Sequence, residues 1–220
     1  MSEEKVEIEE QEEQEEQEIE TISMEEFLKI AGAQEKRSLE SMRSVGLYGD
    51  IEEEKVADVI AGILSLHHLG KPSPDDEEGE AGKPIDLYIS TYGGSADDMA
   101  ALVDIMNHVK KDCPIKTIGI GKVMSAGVLI LASGTKGERY IGRNCRVMIH
   151  SVIGGSSGAL HNLQNELTEI RKMQEVYIDS LVSATKLSKK QLKSFLRRKT
   201  NVYLTAEEAI EYGIADKILE

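Results

Sequence analysis

Five consecutive apolar residues, Val128-Leu129-Ile130-Leu131-Ala132, follow directly on Gly121-Lys122-Val123-Met124-Ser125-Ala126-Gly127. A helix that is apolar all round has no face to turn to water, so Met124 to Ala132 predicts a helix buried on every side. Burying it requires further layers, and the flanking pattern supplies them. Short apolar runs at Ser44–Gly49, Ile85–Ser90, Ile115–Ile120, Arg139–Ile141, Val147–Ile149 and Val202–Leu204 read as strands. Between them, Glu52–His68 places Val56, Val59, Ile60, Ile63 and Leu64 at helical spacing. A second helix begins at Ser95, an N-cap followed by Asp97 and Asp98, and runs to about Lys110 with Met99, Leu102, Val103 and Met106 inward. Later helices cover about 159–186, then Ser188–Arg198, then a short segment capped by Thr205 with Glu208 at the capping-box position. Strands alternating with helices predict an α/β fold with a largely parallel sheet.

Charge divides the chain. Of the net −14, residues 1–24 carry −10, from 11 Glu and one Lys, leaving only −4 for the remainder. Residues 1–23 are a Glu/Gln low-complexity tail, for which disorder is the expectation, because too little apolar surface is available to offset ordering entropy. Residues 24–220 are expected to form one domain, interrupted by an acidic loop insertion at 69–84 that contains Pro72 and Pro74. No basic face suggests nucleic-acid binding. The cluster Lys189, Lys190, Lys193, Arg197, Arg198 and Lys199 reads as a solvated helix face. Cys113 and Cys145 lie in no metal-like spacing and read as reduced thiols. No run reaches the length of a membrane helix, and the acidic N-terminus resembles no export or transit signal, so a cytoplasmic location is expected.

Three features at element ends point to acyl-transfer chemistry. Ser125 stands at a helix start, Gly93-Gly94 forms a turn after an apolar strand, and His150 ends another strand. A serine hydroxyl attacks only when a base takes its proton and donors stabilise the oxyanion. The N–H groups of the Gly93-Gly94 turn and of Ala126 are candidate donors. His150 is the candidate base, since imidazole titrates near neutrality. The plainer reading stands beside this one: Ser125 as an N-cap, His150 as a satisfied strand-end histidine and Gly93-Gly94 as an ordinary turn.

Several blocks resemble the ClpP family, the proteolytic subunits of Clp proteases. Asp86-Leu87-Tyr88-Ile89-Ser90-Thr91-Tyr92-Gly93-Gly94-Ser95 is similar to the family's strand and Gly-Gly turn. Ser125-Ala126-Gly127, with the apolar helix and Gly134-Thr135-Lys136-Gly137-Glu138-Arg139-Tyr140, is similar to its nucleophile segment. Asn144-Cys145-Arg146-Val147-Met148-Ile149-His150 resembles its histidine strand, and Leu204 to Asp216 its closing helix. The blocks span about residues 43–220 in order. The resemblance implies a ClpP/crotonase-like α/β fold of stacked βαβ units, with the helix at about 159–186 as a protruding handle that meshes two seven-fold rings. It implies a serine endopeptidase cleaving unfolded proteins or peptides inside that chamber. Ser125 is then the nucleophile, His150 the base, and the amides of Gly94 and Ala126 the oxyanion hole. No metal and no cofactor are implied, ATP being used by a partner unfoldase ATPase. The Gly154–Gly158 loop fits the family's substrate-binding and ring-contact strand.

Some positions depart from the family pattern. Asn201 stands where the family has the aspartate of its triad, and no Asp or Glu lies between Asp179 and Glu207. An amide oxygen can accept the imidazole N–H but cannot stabilise an imidazolium by charge, so slow or conditional activity is expected. Tyr92 replaces the usual Pro, Ala126 the usual Met, and Ser151-Val152 the usual Gln-Pro. The alternative is a catalytically weak or inactive structural paralogue in a mixed ring. An acyl-CoA hydratase or isomerase shares the core fold but lacks the paired serine and histidine blocks.

Overall fold

The structure, a computed structural model, describes residues 42–70, 82–197 and 200–220. The expected tail of residues 1–23 and most of the insertion at 69–84 lie outside them. Contacts divide the chain into Met1–Met42 and Arg43–Glu220, and all described residues except Met42 belong to the second unit.

Its spine is a parallel sheet. Strands β1 (Ser44–Tyr48), β2 (Ile85–Thr91), β3 (Ile115–Met124), β4 (Arg139–Gly142) and β7 (Lys217–Leu219) pair in that order. Strand β5 (Arg146–Ile149) pairs parallel with the far half of β3 and antiparallel with β6 (Val202–Leu204). Helices α1 (Glu53–Leu69), α2 (Ala96–Val109) and α3 (Ala126–Ala132) follow β1, β2 and β3. Helix α4 (Leu160–Ala184) is the long helix expected at 159–186, and α5 (Lys189–Arg197) and α6 (Ala206–Glu211) complete the set. Every residue of α3 is buried, as its all-apolar sequence requires. Alternate residues of β2 (Ile85, Leu87, Ile89) are fully buried and pack into the same core as Met99, Leu102 and Met106 of α2. Among the described residues no helix is long and apolar enough to cross a membrane.

The expected helix ends hold. Ser95 Oγ accepts the Asp98 N–H at 3.2 Å, and Thr205 and Glu208 form a reciprocal capping box. Ser188 and Gln191 cap α5 in the same manner. Two expectations change. Strand β3 does not stop at Ile120 but continues to Met124. Gly121, at φ +63°, redirects it, and Lys122-Val123-Met124 find a new partner in Arg146-Val147-Met148. The register against β2 slips over the same stretch. The basic cluster is also not simply solvated, because Lys189 bridges Asp179 and Glu175, and Lys193 bridges Glu175, tying α5 to α4.

One buried ion pair closes the fold. Arg139, 3% exposed, donates from Nε and Nη2 to the Asp216 carboxylate at 2.8 and 2.6 Å. Its Nη1 donates to the carbonyls of Ala132 and Ala184, so one side chain fastens the ends of α3 and α4 to the final segment. Burial alone would raise the Asp216 pKa. The Arg139 hydrogen bonds and charge, with the N–H groups of Gly137 and Arg139, outweigh it and hold the carboxyl below its usual value. A depressed folded-state pKa contributes stability above the unfolded value, about pH 4, and that contribution is lost as pH falls through the folded value. Asp216→Asn strands a buried guanidinium and is expected to cost about 3–5 kcal/mol. Urea unfolding at pH 7 checks this, and the gap between native and variant should narrow below about pH 4.

Candidate active site

Ser125 joins β3 to α3 at φ 54°, ψ −123°, and is the single non-glycine residue at positive φ among those described. Such a conformation costs roughly 1–3 kcal/mol and persists only where the surroundings enforce it. Here its N–H donates to the Met148 carbonyl at 2.8 Å, and its carbonyl accepts the Val128 N–H at 3.0 Å. The same carbonyl accepts the Tyr177 hydroxyl of α4, also at 3.0 Å. Burial pushes the Tyr177 phenol well above its usual pKa, so it remains a donor. Sequence reading did not find Tyr177, which lies within the long helix at 159–186 with no motif to mark it. Ser125 does not act as the helix cap, because its side chain makes no capping hydrogen bond. That removes the reading of this residue as a side-chain N-cap.

The Gly93-Gly94 turn lies against this junction. A Cβ at Gly93 would stand 2.5 Å from Ser125 Cβ, and one at Gly94 would stand 2.2 Å from the Ile51 carbonyl oxygen, so only glycine permits this approach. The two amides differ. The Gly93 N–H is spent on Thr91 Oγ1 at 2.9 Å. The N–H groups of Gly94 and Ala126 donate to no acceptor among the described residues.

Gly94, Ser125, Ala126 and His150 line one cavity of ≈330 Å³, whose remaining walls include Tyr92, Met99, Val152, Ile153 and Tyr177. His150 follows the last residue of β5 and is half-buried. Asn201 precedes β6, is exposed, and does not line the cavity. The pairing of Ile149 with Val202 makes His150 and Asn201 the next residues outward on the two strands. Among the described residues no hydrogen bond joins the His150 ring to Asn201 or to Ser125 Oγ. A larger cavity of ≈1140 Å³ lies against α4, lined by Lys110, Lys136 and Arg171, and contains neither Ser125 nor His150. Burial raises both thiols, Cys145 to about 11 and Cys113 in spite of Arg43 nearby, so neither is a ready nucleophile. No group of three His, Cys, Asp or Glu among the described residues is placed to hold a metal ion.

The family model described as Clp protease matches residues 31–220. An ATP-dependent Clp protease proteolytic subunit from Borreliella afzelii (strain PKo) is 32% identical over 177 residues, covering 80% of this chain and 83% of that protein. The parallel sheet and the helices packed on it fit the ClpP/crotonase-like fold. With a family match over most of its length and this identity to a proteolytic subunit, the chain belongs to the Clp protease family.

Proposed function

We propose that this chain is a serine endopeptidase subunit of an ATP-dependent Clp-type protease. One observation carries the reading: a strained, uncapped Ser125 faces the same cavity as His150 and two undonated N–H groups. His150 takes the Ser125 Oγ proton as Oγ attacks a peptide carbonyl. The amides of Gly94 and Ala126 receive the oxyanion. The imidazolium then gives its proton to the departing amine, leaving an acyl-serine that water hydrolyses by the same route in reverse. Asn201, in the third position, orients the ring without adding charge. The apolar walls Met99, Val152 and Ile153 favour an extended peptide with an apolar side chain in the cavity.

Family membership supports an oligomer that works with a Clp-family unfoldase ATPase on polypeptide substrates. Two stacked seven-fold rings, or a mixed ring with a paralogue, are the proposed assemblies. The exposed apolar residues Leu160 and Leu167 on α4 support contact between copies. A second reading, a weak or inactive structural subunit, is favoured by one observation, the unlinked Asn201 and His150. Hydrolysis of blocked fluorogenic peptides by the native protein, abolished by a fluorophosphonate, supports the peptidase. No hydrolysis by the chain, alone or with its ATPase and any co-purifying subunit, supports the scaffold.

Tyr177 is a positioning residue in this scheme. Tyr177→Phe deletes the hydroxyl that holds the Ser125 carbonyl, an interaction worth about 1 kcal/mol. Phosphonylation of Ser125 is expected to slow about fivefold, with KM for a short peptide unchanged. Time-resolved mass spectrometry of the adduct measures it.

A further inference from the structure

Lys122 of β3 and Arg146 of β5 are direct register partners. Like charges so placed repel, and among the described residues no carboxylate pairs with either. Lys122 leans instead over the Tyr92 ring, its ammonium 4.5 Å from the ring centroid. An aromatic face attracts a cation without neutralising it, so the charge stays available to a third group. Tyr92 is 63% exposed and forms part of the wall of the cavity that holds Ser125 and His150. Lys122 precedes Ser125 by three residues, about 10 Å of extended strand. A positive charge is therefore held against a wall residue of the cavity, although Lys122 itself does not line it, within one to three residues' length of where a scissile bond would lie. The second cation, Arg146, is its register partner on β5.

We propose that Tyr92 and Lys122 form a subsite for an acidic side chain of the peptide substrate, giving the site a preference for Asp or Glu close to the cleaved bond. This rests on the peptidase function proposed above. The ligand is a side-chain carboxylate. Lys122 supplies its counter-charge, and Tyr92 fixes where that charge sits. Screening by salt weakens such an exposed pair.

The test uses the full chain and fluorogenic peptides blocked at both ends, so that no terminal carboxylate competes. Each series carries Glu, Gln or Lys at one of the three positions on either side of the scissile bond. At one position, kcat/KM for Glu is expected to exceed that for Gln about three- to fivefold, the effect of one exposed ion pair, with Lys lower still. The Glu/Gln ratio should fall to about one in Lys122→Gln, and decline in Tyr92→Leu or in high salt. Brisk hydrolysis with equal Glu and Gln rates at every position overturns the subsite alone, as does a Glu preference that survives Lys122→Gln. No hydrolysis of any peptide removes the peptidase function, and the subsite with it.

Discussion

Asn201→Asp is expected to raise kcat/KM for a short peptide by at least about tenfold, with about 10⁴ as the ceiling set by the reverse change in trypsin-type triads. A carboxylate only accepts hydrogen bonds, so it forces the imidazole into the tautomer with Nδ1–H and leaves Nε2 free to take the serine proton. An amide can accept or donate. When it donates, the ring turns the wrong nitrogen to Ser125. The strand register puts the two residues within reach, one step beyond the Ile149–Val202 pair. Asn201 is exposed, so the substitution should change stability by no more than about 0.5 kcal/mol. Steady-state rates and a urea melt on the same preparation check both halves. An unchanged rate would mean that Asn201 does not orient His150.

Ser125→Ala is expected to lower peptide hydrolysis by about 10², a smaller factor than in an intact triad. Triad members act as a unit. In subtilisin, loss of the serine costs about 2 × 10⁶ in kcat and loss of the aspartate alone about 3 × 10⁴. A chain that already lacks the acid therefore retains about 10² to lose, and about that fall is expected from the native rate. In Asn201→Asp the same substitution should erase the whole gain. The folded state should hardly notice, because Ser125 Oγ caps nothing and the bonds that fix the junction come from its backbone. Loss of rate without loss of stability separates a nucleophile from a structural serine. Rates of the two single variants and the double variant, set beside their melts, supply the comparison.

What could be read from the sequence was local. The buried α3 follows from five adjacent apolar residues, and the caps of α2 and α6 follow from Ser95 and from Thr205 with Glu208. Gly93, Gly94, Ser125 and His150 stood out because each ends an element. What was missed depends on distant partners or on backbone angles. The Tyr177–Ser125 bond spans 52 residues and the Arg139–Asp216 pair 77, so no window contains both members. The turn alone offered both Gly93 and Gly94 as oxyanion donors; the family resemblance named Gly94, and the structure adds that the Thr91 hydroxyl occupies the Gly93 N–H. A serine at a helix start reads as a cap, and it takes the missing side-chain hydrogen bond to show that this one does not cap. The extension of β3 past Gly121 was hidden because its new partner, β5, lies beyond an intervening helix and strand.

The central claim is that the strained junction presents Ser125 as the nucleophile between the amides of Gly94 and Ala126. The most direct measurement is peptide mapping by mass spectrometry after treatment with a fluorophosphonate. A single adduct on Ser125 is predicted, in the native chain and, faster, in Asn201→Asp, and none in Ser125→Ala. An adduct on another residue, or a folded Asn201→Asp protein that takes up no label, would contradict it.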